Sequence, residues 1–82
     1  MTGVASPMDF SQVRNGMRAR VTQVRDGSVH IKRLQEMGLT VGTVFTVVKI
    51  APFGDPVEIE LRGYRLCLRR KEAIDIEIEA VD

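Results

Sequence analysis

Cysteine is nearly absent: Cys67 is the only one among 82 residues. No internal disulfide can form. Small secreted domains usually rely on several, so the expectation is a reducing, cytoplasmic setting and a thin core held by packing or by a partner. Tryptophan is missing and aromatic residues make up 5% of the chain, too few for the stacking platforms on which single-stranded nucleic acids lie. A surplus of either charge is lacking too, with 12 Lys and Arg against 11 Asp and Glu for a net charge of +1. That balance gives no general drive toward a polyanion, and no nucleic-acid partner is expected. No apolar run approaches the roughly 18 residues of a membrane span, and Met1–Asp9 has neither the basic start nor the apolar stretch of a signal peptide. Any link to a membrane is therefore expected to be indirect.

Reaction chemistry is equally scarce. Nucleophilic catalysis would need His30, the one histidine, to meet Cys67 from a distant segment. Gly38 to Gly42 lacks the GxxxxGK[ST] pattern that cradles phosphate, and no CxxC or HxxxH pair places two strong metal ligands together. Asp75, Glu77 and Glu79 alternate along one strand face, which reads as a solvated face guarding an edge rather than as a cation site. The expectation is no enzyme activity, no resident cofactor and no catalytic or metal-ligating residues.

What is present fits one small folded domain. Hydrophobic residues form 44% and charged residues 28% of the chain, close to the globular averages of roughly 45–50% and 25%. Residues 1–8 lack any period and are expected to be a flexible tail, leaving 9–82 as the domain. Phe10 and Val13 look like an apolar anchor before a turn at Asn15-Gly16. Arg18 to Val24 alternates as a strand, with a break in period after Val21. Asp26-Gly27-Ser28 supplies turn and cap chemistry for a short helix from Val29 to Met37, stopped at Gly38. Thr43 to Ile50 is a β-branched strand, ended by the loop Pro52-Phe53-Gly54-Asp55-Pro56.

The next two runs alternate on either side of Arg62-Gly63. A two-residue turn there sets Leu61 opposite Tyr64, Ile59 opposite Leu66 and Val57 opposite Leu68, with Glu60 facing Arg65 on the other side. The same register turns Cys67 outward, opposite Glu58, where modest reactivity toward a thiol reagent is expected. After a helical turn over Arg70 to Ala73, the alternation of Ile74, Ile76 and Ile78 gives a last strand. Five short strands and one inserted helix predict a mainly β fold, a small and strongly bent antiparallel barrel. Arg65, Arg69, Arg70 and Lys71 form a basic cluster that Glu58, Glu60 and Glu72 are placed to offset.

Arg33-Leu34-Gln35-Glu36-Met37-Gly38-Leu39, then Gly42, the Ala51-Pro52-Phe53-Gly54-Asp55-Pro56 loop, and Leu66-Cys67-Leu68-Arg69 with Glu72-Ala73 resemble the FeoA family of ferrous-iron transport accessory proteins. The resemblance runs from about Asp9 to Val81, with Val41 and Cys67 standing where the family usually has Pro and a small residue such as Ser. It implies an SH3-like barrel acting beside FeoB, a membrane iron transporter with a GTP-hydrolysing cytoplasmic domain. The expected role is accessory or regulatory, through protein contact on the cytoplasmic side of the inner membrane, with weak self-association left open. The alternative is a small metal-binding iron chaperone or a divalent-metal-responsive module. The fold also resembles the C-terminal module of iron-dependent repressors, although 82 residues leave no room for the helix-turn-helix domain that would read DNA, so none is expected.

The groups expected to meet a partner are Leu39 at the helix exit, Phe53, Gly54 and Asp55 in the loop, and Arg69 as a charged contact. Leu39 and Phe53 each offer an apolar side chain beside a glycine-permitted turn. Phe53 has two readings, a plug folded onto the barrel end or an exposed contact, and the plug is favoured on general grounds. For Arg69 the competing role is packing against Glu72.

Overall fold

The computed structural model describes residues 8–25 and 28–81. Its strands are β1 (Arg18–Val24), β2 (Val44–Ile50), β3 (Val57–Leu61), β4 (Tyr64–Leu68) and β5 (Ile76–Ala80), with one α-helix, α1 (Val29–Glu36), and 3-10 turns at Phe10–Gln12 and Arg70–Ala73. The sheet order is β4-β3-β2-β1-β5, every neighbouring pair antiparallel. A closed barrel is not formed. β4 and β5 are the two edges of an open sheet, a small departure from the expectation.

Two-residue periodicity places the core. Val57, Ile59, Leu61, Leu66 and Leu68 are buried on the inner face of the β3–β4 hairpin, and its register is the one predicted, Val57 to Leu68 through Leu61 to Tyr64. Arg62 and Gly63 both take positive φ, +52° and +85°, as the primed turn joining two strands directly requires. The break in period after Val21 is a bulge in the β1–β5 pairing between Val21 and Gln23. β5 starts at Ile76 rather than Ile74. Ile74 still has helical dihedrals at the end of the 3-10 turn and is half-exposed.

The N-terminal anchor packs as the sequence suggests. The Phe10 ring stacks on Phe45 with centroids 5.2 Å apart, and Val13 is buried beside them. Asp9 caps this segment by accepting from the Ser11 N–H at 2.7 Å while its own N–H donates to Gln12 Oε1 at 3.1 Å. The expected tail over 1–8 lies outside the described residues except for Met8. Met8 forms an antiparallel bridge with Ile78 and packs on the core, so order begins at least one residue before the boundary drawn from the sequence. The turn expected at Asp26-Gly27 also lies outside the described residues.

α1 is short and owes its place to tertiary contacts. Ser28 Oγ accepts from the Ile31 N–H at 3.3 Å, and Ile31 and Leu34 form the buried side. At its exit Gly38 N–H donates to Gln35 O and Leu39 N–H to Leu34 O, both at 3.0 Å. This paired arrangement is a Schellman motif, which tucks the residue after the glycine against the last turn. Leu39 is accordingly fully buried with Leu34.

The helix exit is tied to the hairpin tip. Thr43 Oγ1 donates to Gly38 O at 3.0 Å and accepts from Arg62 Nη2 at 3.4 Å. Gly38 has φ +108°, and a Cβ there would come within 2.7 Å of the Tyr64 hydroxyl. Both the backbone and the close approach require glycine.

Candidate functional site

The loop between β2 and β3 is the exposed feature best held in place. Pro52 and Phe53 occupy the middle of a turn closed by Gly54 N–H to Ala51 O at 2.8 Å. Pro52 sits at the second turn position, where its fixed φ is suited. The loop base is joined by Ala51 N–H to Pro56 O at 3.2 Å. Phe53 therefore stands fully exposed at the tip. The plug reading is corrected: the turn directs the ring away from the sheet, while Phe10 and Phe45 already fill the core.

Arg70 holds this loop from below. Its Nε donates to Gly54 O at 2.7 Å, its backbone N–H donates to Asp55 Oδ1 at 3.0 Å, and its Nη1 reaches Phe10 O at 2.9 Å and Ser11 O at 3.1 Å. A further contact runs to Val13 O at 3.3 Å. One guanidinium thus bridges the loop and the N-terminal 3-10 turn, using the fork of donors that distinguishes arginine from lysine. No pattern in the sequence sets Arg70 apart from its neighbours, because its partners are backbone carbonyls of two remote segments.

The remaining expected contacts divide. Leu39 is a correction: at 0% exposure it belongs to the core, and its side chain cannot reach a partner without unfolding the helix exit. The Schellman signature, Gly38 followed by an apolar residue, is the sequence signal that marks it as buried. Gly54 and Asp55 lie in the loop, with Asp55 committed to Arg70. Arg69 is exposed and has no ion pair among the described residues. Glu72 instead meets Arg33 at 3.4 Å and lies 3.8 Å from His30 Nδ1.

The basic cluster is partly neutralised rather than presented as one patch. Arg65 lies 3.5 Å from Glu58, and Arg70 is turned inward. The acidic face of β5 is paired with arginines in and just after β1, Glu79 with Arg20 at 2.7 Å and Glu77 with Arg25 at 3.2 Å. No hydrogen bond joins His30 to Cys67 among the described residues, and Cys67 is exposed opposite Glu58, as the register predicts. Among the described residues no three His, Cys, Asp or Glu side chains converge as a metal ion would need. None of the described helices is long and apolar enough to cross a membrane.

An open five-stranded antiparallel sheet with one helix between its first two strands, carrying an exposed apolar loop tip, defines a small SH3-like domain. Residues 8–80 match the model of the FeoA domain. The chain belongs to the FeoA family. It is 38% identical over 74 residues to a fusion of Fe(2+) transport protein A with the Fe(2+) transporter FeoB from Porphyromonas gingivalis, covering 90% of this chain. It spans only 9% of that fusion protein's length. A FeoA-like protein from Clostridium acetobutylicum has a similar structure, with a TM-score of 0.84, 31% identity, and coverage of 95% of this chain and 91% of the other. Stenotrophomonas maltophilia FeoA complexed with zinc, described as a prokaryotic SH3 domain protein, gives a TM-score of 0.75 at 26% identity over 88% of this chain and 89% of that one.

Proposed function

We propose that this domain is a non-enzymatic accessory or regulatory module of ferrous iron uptake, acting by contact with the FeoB transporter at the cytoplasmic face of the membrane. The observation that carries the reading is the Porphyromonas gingivalis fusion, in which a segment 38% identical to this chain is covalently joined to a FeoB transporter. Fusion to the transporter keeps the FeoA segment of that relative at a high effective concentration beside FeoB, which favours a contact between the two. The fully exposed Phe53 on a tethered loop supports contact as the mode of action, because binding energy concentrates in a few large anchoring side chains. Phe53, Gly54 and Asp55 form the proposed contact surface, with Arg69 as a charged addition at its side.

The test is a binding titration of the purified domain against FeoB from the same organism, with and without guanine nucleotide. Saturable binding supports the reading, and its nucleotide dependence shows which state of the transporter the module recognises. Absence of binding in every nucleotide state refutes it. Equilibrium dialysis of the isolated domain with Fe(2+) separates the metal-chaperone alternative, which demands tight stoichiometric uptake.

A further inference from the structure

The loop tip and the residue that holds it are set in different parts of the chain, and this separation gives Arg70 a role beyond stability. Phe53 makes no use of the core, so nothing in its own side-chain packing orders it. The order has to come from the loop backbone. On the C-terminal side of the tip, Gly54 O accepts from the Arg70 guanidinium and Asp55 Oδ1 from the Arg70 backbone N–H. The other end of the same guanidinium is fixed on Phe10 O and Ser11 O, in a segment anchored by the buried Phe10 ring. Beyond its own turn and base hydrogen bonds, the loop is thus tied to the core through Arg70, with the guanidinium holding Gly54 O and the backbone N–H holding Asp55.

We propose that Arg70 is a positioning residue for partner recognition, holding Phe53 in its binding conformation before the partner arrives. The inference rests on the docking reading given above. Its physical content is that an exposed anchor on a free loop loses conformational entropy on binding, and a loop already fixed avoids most of that loss. The partner surface that suits such an anchor is a preformed apolar pocket on a protein, large enough for a phenyl ring. Arg70 itself is turned toward backbone carbonyls and makes no contact with that surface.

The experiment is a double-mutant cycle on binding to FeoB, with Phe53→Ala, Arg70→Gln and the pair, combined with backbone 15N relaxation of each free protein. Arg70→Lys is the companion variant. It keeps the positive charge but cannot span both segments, and it guards against a simple loss of folding in Arg70→Gln. The expected result is a folded variant in which the amides of Phe53 and Gly54 fall from rigid order parameters to below about 0.6. Affinity should drop on the order of tenfold in the parent background and hardly at all when Phe53 is already Ala. Unchanged loop order in a folded Arg70 variant overturns the proposal. So does an equal loss of affinity in both backgrounds, which would mean that Arg70 acts without Phe53. If Phe53→Ala binds FeoB like the parent, the docking reading fails and with it the recognition role of Arg70, while the relaxation data separately decide whether Arg70 orders the loop.

Discussion

Replacing Gly38 by Ala tests whether the helix exit and the hairpin tip are locked together as described. Two costs add. A residue with a Cβ at φ +108° is strained, by about 1–2 kcal/mol in the left-handed region. The new methyl also lies 2.7 Å from the Tyr64 hydroxyl, which must swing off its preferred rotamer at about 0.5–1.5 kcal/mol. Stiffening of the unfolded chain returns about 0.4–1 kcal/mol. The net expectation is a loss of about 2 kcal/mol, or a fall in Tm of roughly 8–16 °C for a domain of this size. Urea unfolding monitored by circular dichroism measures it. In a Tyr64→Phe background the steric part should vanish and the backbone part remain, so the penalty falls by about half. A loss under about 0.5 kcal/mol in the parent background would refute both the strain and the close approach.

Three further outcomes follow from burial and pairing. Leu39→Ala should cost about 2–5 kcal/mol as a fully buried core residue, whereas Phe53→Ala should change stability by less than about 0.5 kcal/mol; equal costs in thermal melts would contradict the assignment of either residue. Cys67, exposed on β4, should show modest reactivity toward a thiol reagent under native conditions, and complete protection would show that another segment covers this face. Glu79→Gln removes only the exposed pair with Arg20, so stability should fall by no more than about 1 kcal/mol and binding to FeoB should be unchanged.

Much of the fold could be read from the residues because the alternation in β3 and β4 is strict and the Arg62-Gly63 turn allows one register. Even the bulge in β1 was visible as a skipped position between Val21 and Val24. The start of β5 was not, because Ile74 continues the alternation while its backbone still belongs to the preceding 3-10 turn. At the candidate site the loop was legible from its Pro and Gly residues, but the direction of Phe53 depended on how the core was filled elsewhere. The burial of Leu39 was legible in the same way, since an apolar residue directly after a helix-ending glycine is the mark of the Schellman closure that tucks it onto Leu34. The role of Arg70 was not legible, since only the folded chain brings Phe10 and Gly54 to the same guanidinium.

The central claim, that the domain meets FeoB through the tip of its β2–β3 loop, is tested most directly by the affinity of Phe53→Ala for FeoB, measured by calorimetry beside its thermal melt. The account predicts an unchanged Tm and a weakening of at least about 1 kcal/mol, roughly fivefold in Kd. Parent-like affinity in the folded variant would contradict it and move the interface to another face of the domain.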